Sequence, residues 1–320
     1  MKDHLRYYEV GALLYTPADN ADILHTITKE KISPPFSLAL CLEDTLGEAL
    51  VEQGEQTLQK TLRGLEEQAA RSRFFLPKIF VRVRSPRQMK RIAASCSSSL
   101  LTGFILPKIS PYNAGEYISL TLEINKGAKE PFYIMPILED PSIISPAERP
   151  SILHSLKEAF TPAERHILNI RVGGNDLCHA FGFRRQSDET IYDILPIASI
   201  LSDIVTVFGQ DYILSAPVWE YYDGEGWDSG MLREIRKDIL CGFVGKTVIH
   251  PKQISLVNSG FQVRRKDYED ALLILQWESD RLVFASSARE RMNEYKVHSH
   301  WASRILMLAK VYGIKEESHV

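Results

Sequence analysis

Eight short apolar runs, each followed by a stretch with helical spacing, constrain what this chain can fold into more than any other feature. They occupy residues 11–17, 36–42, 78–84, 101–108, 132–140, 166–176, 211–219 and 242–250. Gly, Pro and capping residues punctuate them, and their β-branched, near-continuous apolar texture is that of strands buried on both faces. Between the runs, apolar residues recur at helical intervals. Leu46, Leu50, Leu58, Leu62 and Leu65 follow the second, Ile152, Leu153, Leu156 and Phe160 the fifth, and Ile191, Ile194, Ala198, Leu201 and Val205 the sixth. Pro196 is expected to mark the first turn of that last helix or to kink it, and Asp19, Asn20 and Asp22 to cap a helix behind the first strand. Strands and helices alternating eight times over about 250 residues match the count and length of a TIM (β/α)8 barrel. The pattern predicts an α/β barrel over 1–258 and a C-terminal helical extension over 259–320. In the extension, Tyr268, Ala271, Leu272, Leu275, Trp301, Ile305, Leu308 and Tyr312 form apolar stripes among many charges. Such a segment cannot bury its apolar face alone, so it should pack on its own barrel or on a neighbouring subunit.

In a parallel barrel the C-terminal strand ends converge on one face, where active sites are built. The polar residues delivered there are Glu43, Asp44, Arg82, Lys108, Glu139, Asp140, Asp176 and His250. Glu139 closes the fifth run, and Asp176 follows Gly173 and Gly174 after the sixth. Two carboxylates without histidine or thiolate suit a hard cation such as Mg²⁺. Each residue also has a plainer reading. Arg82 can neutralise an acid at the barrel rim, Lys108 can form a structural ion pair, and His250 before Pro251 fits a packing role. Gly173 and Gly174 are not a nucleotide loop; they permit a tight approach to Asp176. Asp223, Glu225 and Asp228 lie in a glycine-containing loop that lacks the EF-hand register.

A formal net charge of −3 argues against a nucleic-acid partner, which needs clustered surplus base. The run Arg84, Arg87, Lys90 and Arg91 reads as a solvated helix face. The first residues carry an acid and no signal-like apolar core, and no uninterrupted apolar stretch is long enough to span a bilayer, so a cytoplasmic protein without a membrane partner is expected. Cys41, Cys96, Cys178 and Cys241 lack C-x-x-C spacing and read as reduced thiols.

Taken in order, Leu13-Leu14-Tyr15-Thr16-Pro17, Cys41-Leu42-Glu43-Asp44, Val81-Arg82-Val83, Leu106-Pro107-Lys108, Pro136-Ile137-Leu138-Glu139, Gly173-Gly174-Asn175-Asp176-Leu177 and Ile249-His250-Pro251-Lys252-Gln253 resemble the motifs of the HpcH/HpaI aldolase group, which includes the citrate lyase β subunit and malyl-CoA lyase. The resemblance spans roughly residues 11 to 255. It implies a Mg²⁺-dependent carbon–carbon lyase or aldolase that works next to a 2-oxo or hydroxy acid through an enolate stabilised by the metal. By the same resemblance Glu139 and Asp176 would be the direct metal ligands, and Arg82 would grip a substrate carboxylate in a bidentate fork. Glu43 and Asp44 would hold the metal's waters and serve proton transfer. From their own places at strand ends, Arg84 and Lys108 are further candidates for substrate contact. The implied partner is a small carboxylate, and the implied assembly is a homotrimer or hexamer.

Departures from the family pattern stand at Cys41, where an aspartate usually opens the acidic motif, at Gly11 in place of an arginine, and at Arg84 and Asp140 in place of asparagine and threonine. The family admits a coenzyme A thioester as partner, and these departures count against one here. Extra anion recognition would then fall to Arg84, Arg184 and Arg185. Cys41 and Gly11 also motivate an alternative function, a catalytically altered barrel acting as a binding or scaffold subunit.

Overall fold

In the computed structural model, which describes residues 4–96, 99–278 and 282–316, all eight apolar runs are strands. They are β1 (Ala12–Pro17), β2 (Ser37–Cys41), β3 (Lys78–Arg82), β4 (Leu101–Leu106), β5 (Tyr133–Leu138), β6 (Ile170–Val172), β7 (Leu214–Ala216) and β8 (Phe243–Val248). Each pairs in parallel with the next, and β8 pairs back to β1, so a closed barrel runs in chain order. The strands are buried almost end to end, as their apolar texture requires. At Gly103 in β4 a Cβ would lie 1.9 Å from the Tyr133 carbonyl oxygen, so only glycine permits the local approach of β4 to β5.

Around the barrel lie α1 (Ile23–Thr28), α2 (Val51–Arg71), α3 (Pro86–Ser95), α4 (Ala114–Ile124), α5 (Arg149–Phe160), α6 (Gly174–Phe181), α7 (Leu195–Phe208), α8 (Trp227–Leu240) and α9 (Lys252–Gly260). Pro196 sits in the first turn of α7 and does not kink it, because the missing N–H is one that a helix start leaves unpaired anyway. The expected cap of α1 does not form. Asp22 precedes the helix without a side-chain cap, while Asn20 Oδ1 accepts from the Asp22 N–H and its amide donates to Thr16 Oγ1. Arg87, Lys90 and Arg91 are exposed on α3, a solvated face.

Beyond the barrel, β9 (Val263–Arg264) pairs with β12 (Ile314–Lys315), and α10 (Arg265–Leu275) packs against α11 (Tyr295–Tyr312). Between these helices, β10 (Val283–Ala285) and β11 (Met292–Glu294) form an antiparallel hairpin. Helix α11 returns to the N-terminal end of the same barrel. Arg304 there donates to the carbonyls of Gly242 and Phe243. Tyr312 stacks on Phe261 with centroids 5.2 Å apart, its hydroxyl reaching the place where Gly11 and Gly245 meet. The tail thus seals the barrel end opposite the strand C-termini. A cavity of about 260 Å³ remains under this seal, bordered by Phe36, Phe75, Leu76 and Tyr312. Among the described residues no helix is long and apolar enough to cross a membrane.

Candidate active site at the barrel mouth

Strand ends bring the sequence-predicted acids and bases together. One nitrogen of Arg82, Nη2, lies 2.8 Å from Glu43 Oε2, 3.0 Å from Asp44 Oδ2 and 3.2 Å from Glu139 Oε1. Lys108 Nζ donates to Glu43 Oε1 and Asp44 Oδ1, each at 2.8 Å, while the Lys108 backbone N–H donates to Glu139 Oε1 at 3.0 Å. That double use requires a sharp turn, and Lys108 takes it with φ +48°. A left-handed conformation costs an L-residue about 1 kcal/mol, so the surrounding contacts must hold it in place.

Glu139 is 4% exposed. Burial, with repulsion from Asp176 and Glu43, raises its carboxyl to about 7 against the pull of Arg82 and the Lys108 N–H. Asp176 is half-buried in the first turn of α6, where a helix N-terminus favours a negative charge. Gly173 makes room for this pair, since a Cβ there would fall 2.1 Å from Glu139 Oε2. Asp44, though exposed, is held below the ordinary carboxylate range, its partial burial outweighed by Glu43, Lys108 and Arg82. Burial pulls the Arg82 guanidinium down, but Tyr15, Glu139 and Glu43 outweigh it and leave the group above its ordinary value.

Among the described residues no cluster of three or more His, Cys, Asp and Glu side chains could hold a metal. The two-carboxylate arrangement of Glu139 and Asp176 is therefore no cage. It does fit a hard cation that keeps most of its water, because all its donors are oxygen and the mutual repulsion at Glu139 is what a divalent ion relieves.

Other strand-end residues go elsewhere. Arg84 donates to the carbonyls of Leu42 at 2.7 Å and Leu46 at 2.6 Å, so its guanidinium clamps the loop after β2. Asp140 caps the short 3-10 turn Pro141–Ile143 through the Ser142 N–H. His250 stacks on Tyr222 with centroids 4.7 Å apart. Arg185 is buried against Glu234 and the Trp219 ring, which removes it as an anion ligand, whereas Arg184 is exposed beside Glu220. Cys41 pairs in register with Arg82 and is fully buried. Gly11 lies at the sealed end of the barrel, so its departure from the family pattern does not bear on what the mouth binds. Sequence reading missed Tyr15 and Arg171, which lie within the strands beneath the acids. A cavity of about 520 Å³ lies not at the mouth but in the extension, between Arg265, Asp270, Arg291 and Lys315. The converging acids, not that cavity, select the mouth.

The chain matches, over residues 4–314, the family model described as C–C bond lyase of the TIM-barrel fold. The chain belongs to this C–C bond lyase family. The resemblance read from the strand-end motifs is borne out, and so is the barrel. No curated protein matches the chain. Among solved structures, this C–C bond lyase family member resembles a citrate lyase from Burkholderia xenovorans, at 14% identity and TM-score 0.71 over 97% of this chain and 94% of that one. It also resembles CitE from Mycobacterium tuberculosis in complex with magnesium, acetoacetate and coenzyme A, at 18% identity and TM-score 0.64 over 95% and 99%. The citrate lyase β subunit of the same organism, complexed with oxaloacetate and magnesium, is similar at 18% identity and TM-score 0.53 over 80% and 99%. At such identities the likeness is one of fold.

Proposed function

We propose that this chain is a Mg²⁺-dependent carbon–carbon lyase or aldolase that breaks or forms a bond next to a 2-oxo or hydroxy acid by way of an enolate. The observation that carries the reading is the convergence of Glu43, Asp44 and Glu139 on one nitrogen of Arg82, with Asp176 beside Glu139. Glu139 and Asp176 would hold the cation, which when bound supplies Lewis-acid polarisation of the substrate's oxygens. Arg82 keeps its other terminal nitrogen, Nη1, for a substrate carboxylate while Nη2 anchors the acids. Glu43 and Asp44 would accept the proton that leaves the carbinol hydroxyl as the carbon–carbon bond breaks. Lys108 holds both acids in place and adds positive charge where the enolate oxygen develops. Nothing in this scheme needs a Schiff base.

The partner is a small carboxylate, as in the neighbours bound to oxaloacetate or acetoacetate. With Gly11 at the sealed end and Arg84 engaged by carbonyls, the case against a coenzyme A thioester rests on Cys41 and Asp140. Four free cysteines favour a cytoplasmic location. We further assign a homotrimer or hexamer, on the apolar surface left open by the hairpin and the start of α11, where Val283, Met292 and Val297 are all more than half exposed.

The test is a panel of hydroxy and oxo acids assayed for pyruvate or glyoxylate release with and without EDTA. EDTA-sensitive turnover, lost in Glu139→Gln and Asp176→Asn, is expected. Turnover unchanged in both variants removes the site assignment. Binding without turnover of any candidate assigns the chain a scaffold role.

A further inference from the structure

Beneath the mouth the barrel holds a guanidinium that no carboxylate of the described residues neutralises. Arg171, in the middle of β6, is 1% exposed. Its Nη2 donates across the barrel to Thr247 Oγ1 at 2.6 Å, while Nε and Nη1 have no hydrogen-bond partner among the described residues. The ionisable groups acting on it are two phenols, Tyr15 and Tyr312, and burial holds the guanidinium below its ordinary value. Ser215, its partner in register on β7, is equally buried, and its hydroxyl also lacks a partner among the described residues. A buried cation without a counterion is costly to keep. Arg82 and Lys108 are each tied to two or more carboxylates; Arg171 is tied to none.

Tyr15 connects this charge to the mouth. It is only half-buried, and its neighbours include Arg171, Arg82 and Glu139. Among the charged groups acting on its phenol, Arg171 is the strongest. A phenol whose oxygen faces guanidinium groups turns its lone pairs to them and keeps its proton to donate. In this barrel the acceptor that suits such a proton, with positive charge behind it, is an anionic oxygen entering from the mouth.

We propose that Tyr15, backed by Arg171, is an anion subsite that takes one carboxylate of the substrate, a determinant of specificity separate from Arg82. This rests on the lyase reading and names what that site selects. The probes are L-malate and L-lactate, which differ by one carboxylate, titrated calorimetrically into the Mg²⁺-loaded wild type and into Tyr15→Phe, Arg171→Gln and Arg171→Lys. Wild type should favour malate by about tenfold or more, the worth of one charge-assisted hydrogen bond. Tyr15→Phe and Arg171→Gln should each shrink that ratio by about fivefold, and Arg171→Lys should keep most of it. Thermal unfolding without ligand supplies a readout that a structural arginine would move the other way. Arg171→Gln should unfold at the wild-type temperature or above, because it removes an uncompensated charge. An unchanged ratio in Arg171→Gln or in Tyr15→Phe, a lowered unfolding temperature in Arg171→Gln, or a wild type that binds both acids alike overturns the subsite. Failure of the lyase reading is a different result: malate preference intact and sensitive to Arg171, with no EDTA-sensitive turnover of any substrate.

Discussion

At the scale of single residues, the proposed function asks two jobs of Arg82, one for each terminal nitrogen. Because the acids all meet Nη2, an ammonium in its place still offers them one cation but loses the second arm. Arg82→Lys should therefore keep its unfolding temperature within a few degrees of wild type while substrate KM rises by about tenfold or more, measured by melting and steady-state kinetics. Glu139 gives the pH dependence. Its carboxyl is raised from an ordinary 4.5 to about 7, so the native state holds that proton more tightly than the unfolded chain does, and stability from this group falls as pH rises through that window. A cation must displace the same proton, so Mg²⁺ affinity should climb by about tenfold per pH unit below 7 and level off above it, a profile that titrations at several pH values would read and that Glu139→Gln should flatten. The meeting of Glu43, Asp44, Arg82, Lys108 and Glu139 was legible in the sequence because each closes a strand, and strand ends in a parallel barrel share one face. Arg84 was not legible. Period-two spacing says which face a side chain leaves from, not that carbonyls of the Leu42 to Leu46 loop stand waiting for it. Tyr15 and Arg171 escaped for a related reason: a polar residue in mid-strand looks alike in sequence whether it faces a neighbour's hydroxyl or an empty charge.

At the scale of elements, the helix over the last strand is fixed by ions, not by apolar contact alone. Lys246 of β8 points outward and is fully buried against Glu234 and Asp238 of α8, at 2.9 and 2.8 Å. Burial lifts Asp238 to about 6 despite that partner, and Tyr192 donates to it as well. Lys246→Met removes the ammonium shared by both acids, leaving Glu234 to Arg185 and Asp238 to the Tyr192 hydroxyl, and should cost about 3–5 kcal/mol in denaturant unfolding, more than its lost volume explains. Gly103 acts on the same scale. With the Tyr133 carbonyl in the path of any Cβ, Gly103→Ala must part β4 from β5, and little soluble protein is expected on expression. Neither feature could be read from the chain. Lys246 sits in a strand whose pattern reads as apolar, and its partners lie on a helix whose buried face carries acids.

At the scale of the whole molecule, the extension is a stopper for its own barrel. Tyr312 and Arg304 complete the N-terminal end, so removing residues 303–320 should expose the strand starts and yield an aggregated or molten chain with exposed apolar surface, as dye binding would report. The helical period of the amphipathic stripes was legible in the chain but the receiving surface was not, since own barrel and neighbouring subunit satisfy the same pattern. The seal and the ring of acids occupy opposite ends of one tube. Pressure for heat tolerance can therefore work around Tyr312, tightening the hollow against Phe36 and Phe75, while the ring of acids stands still. A lineage could harden without relearning its reaction.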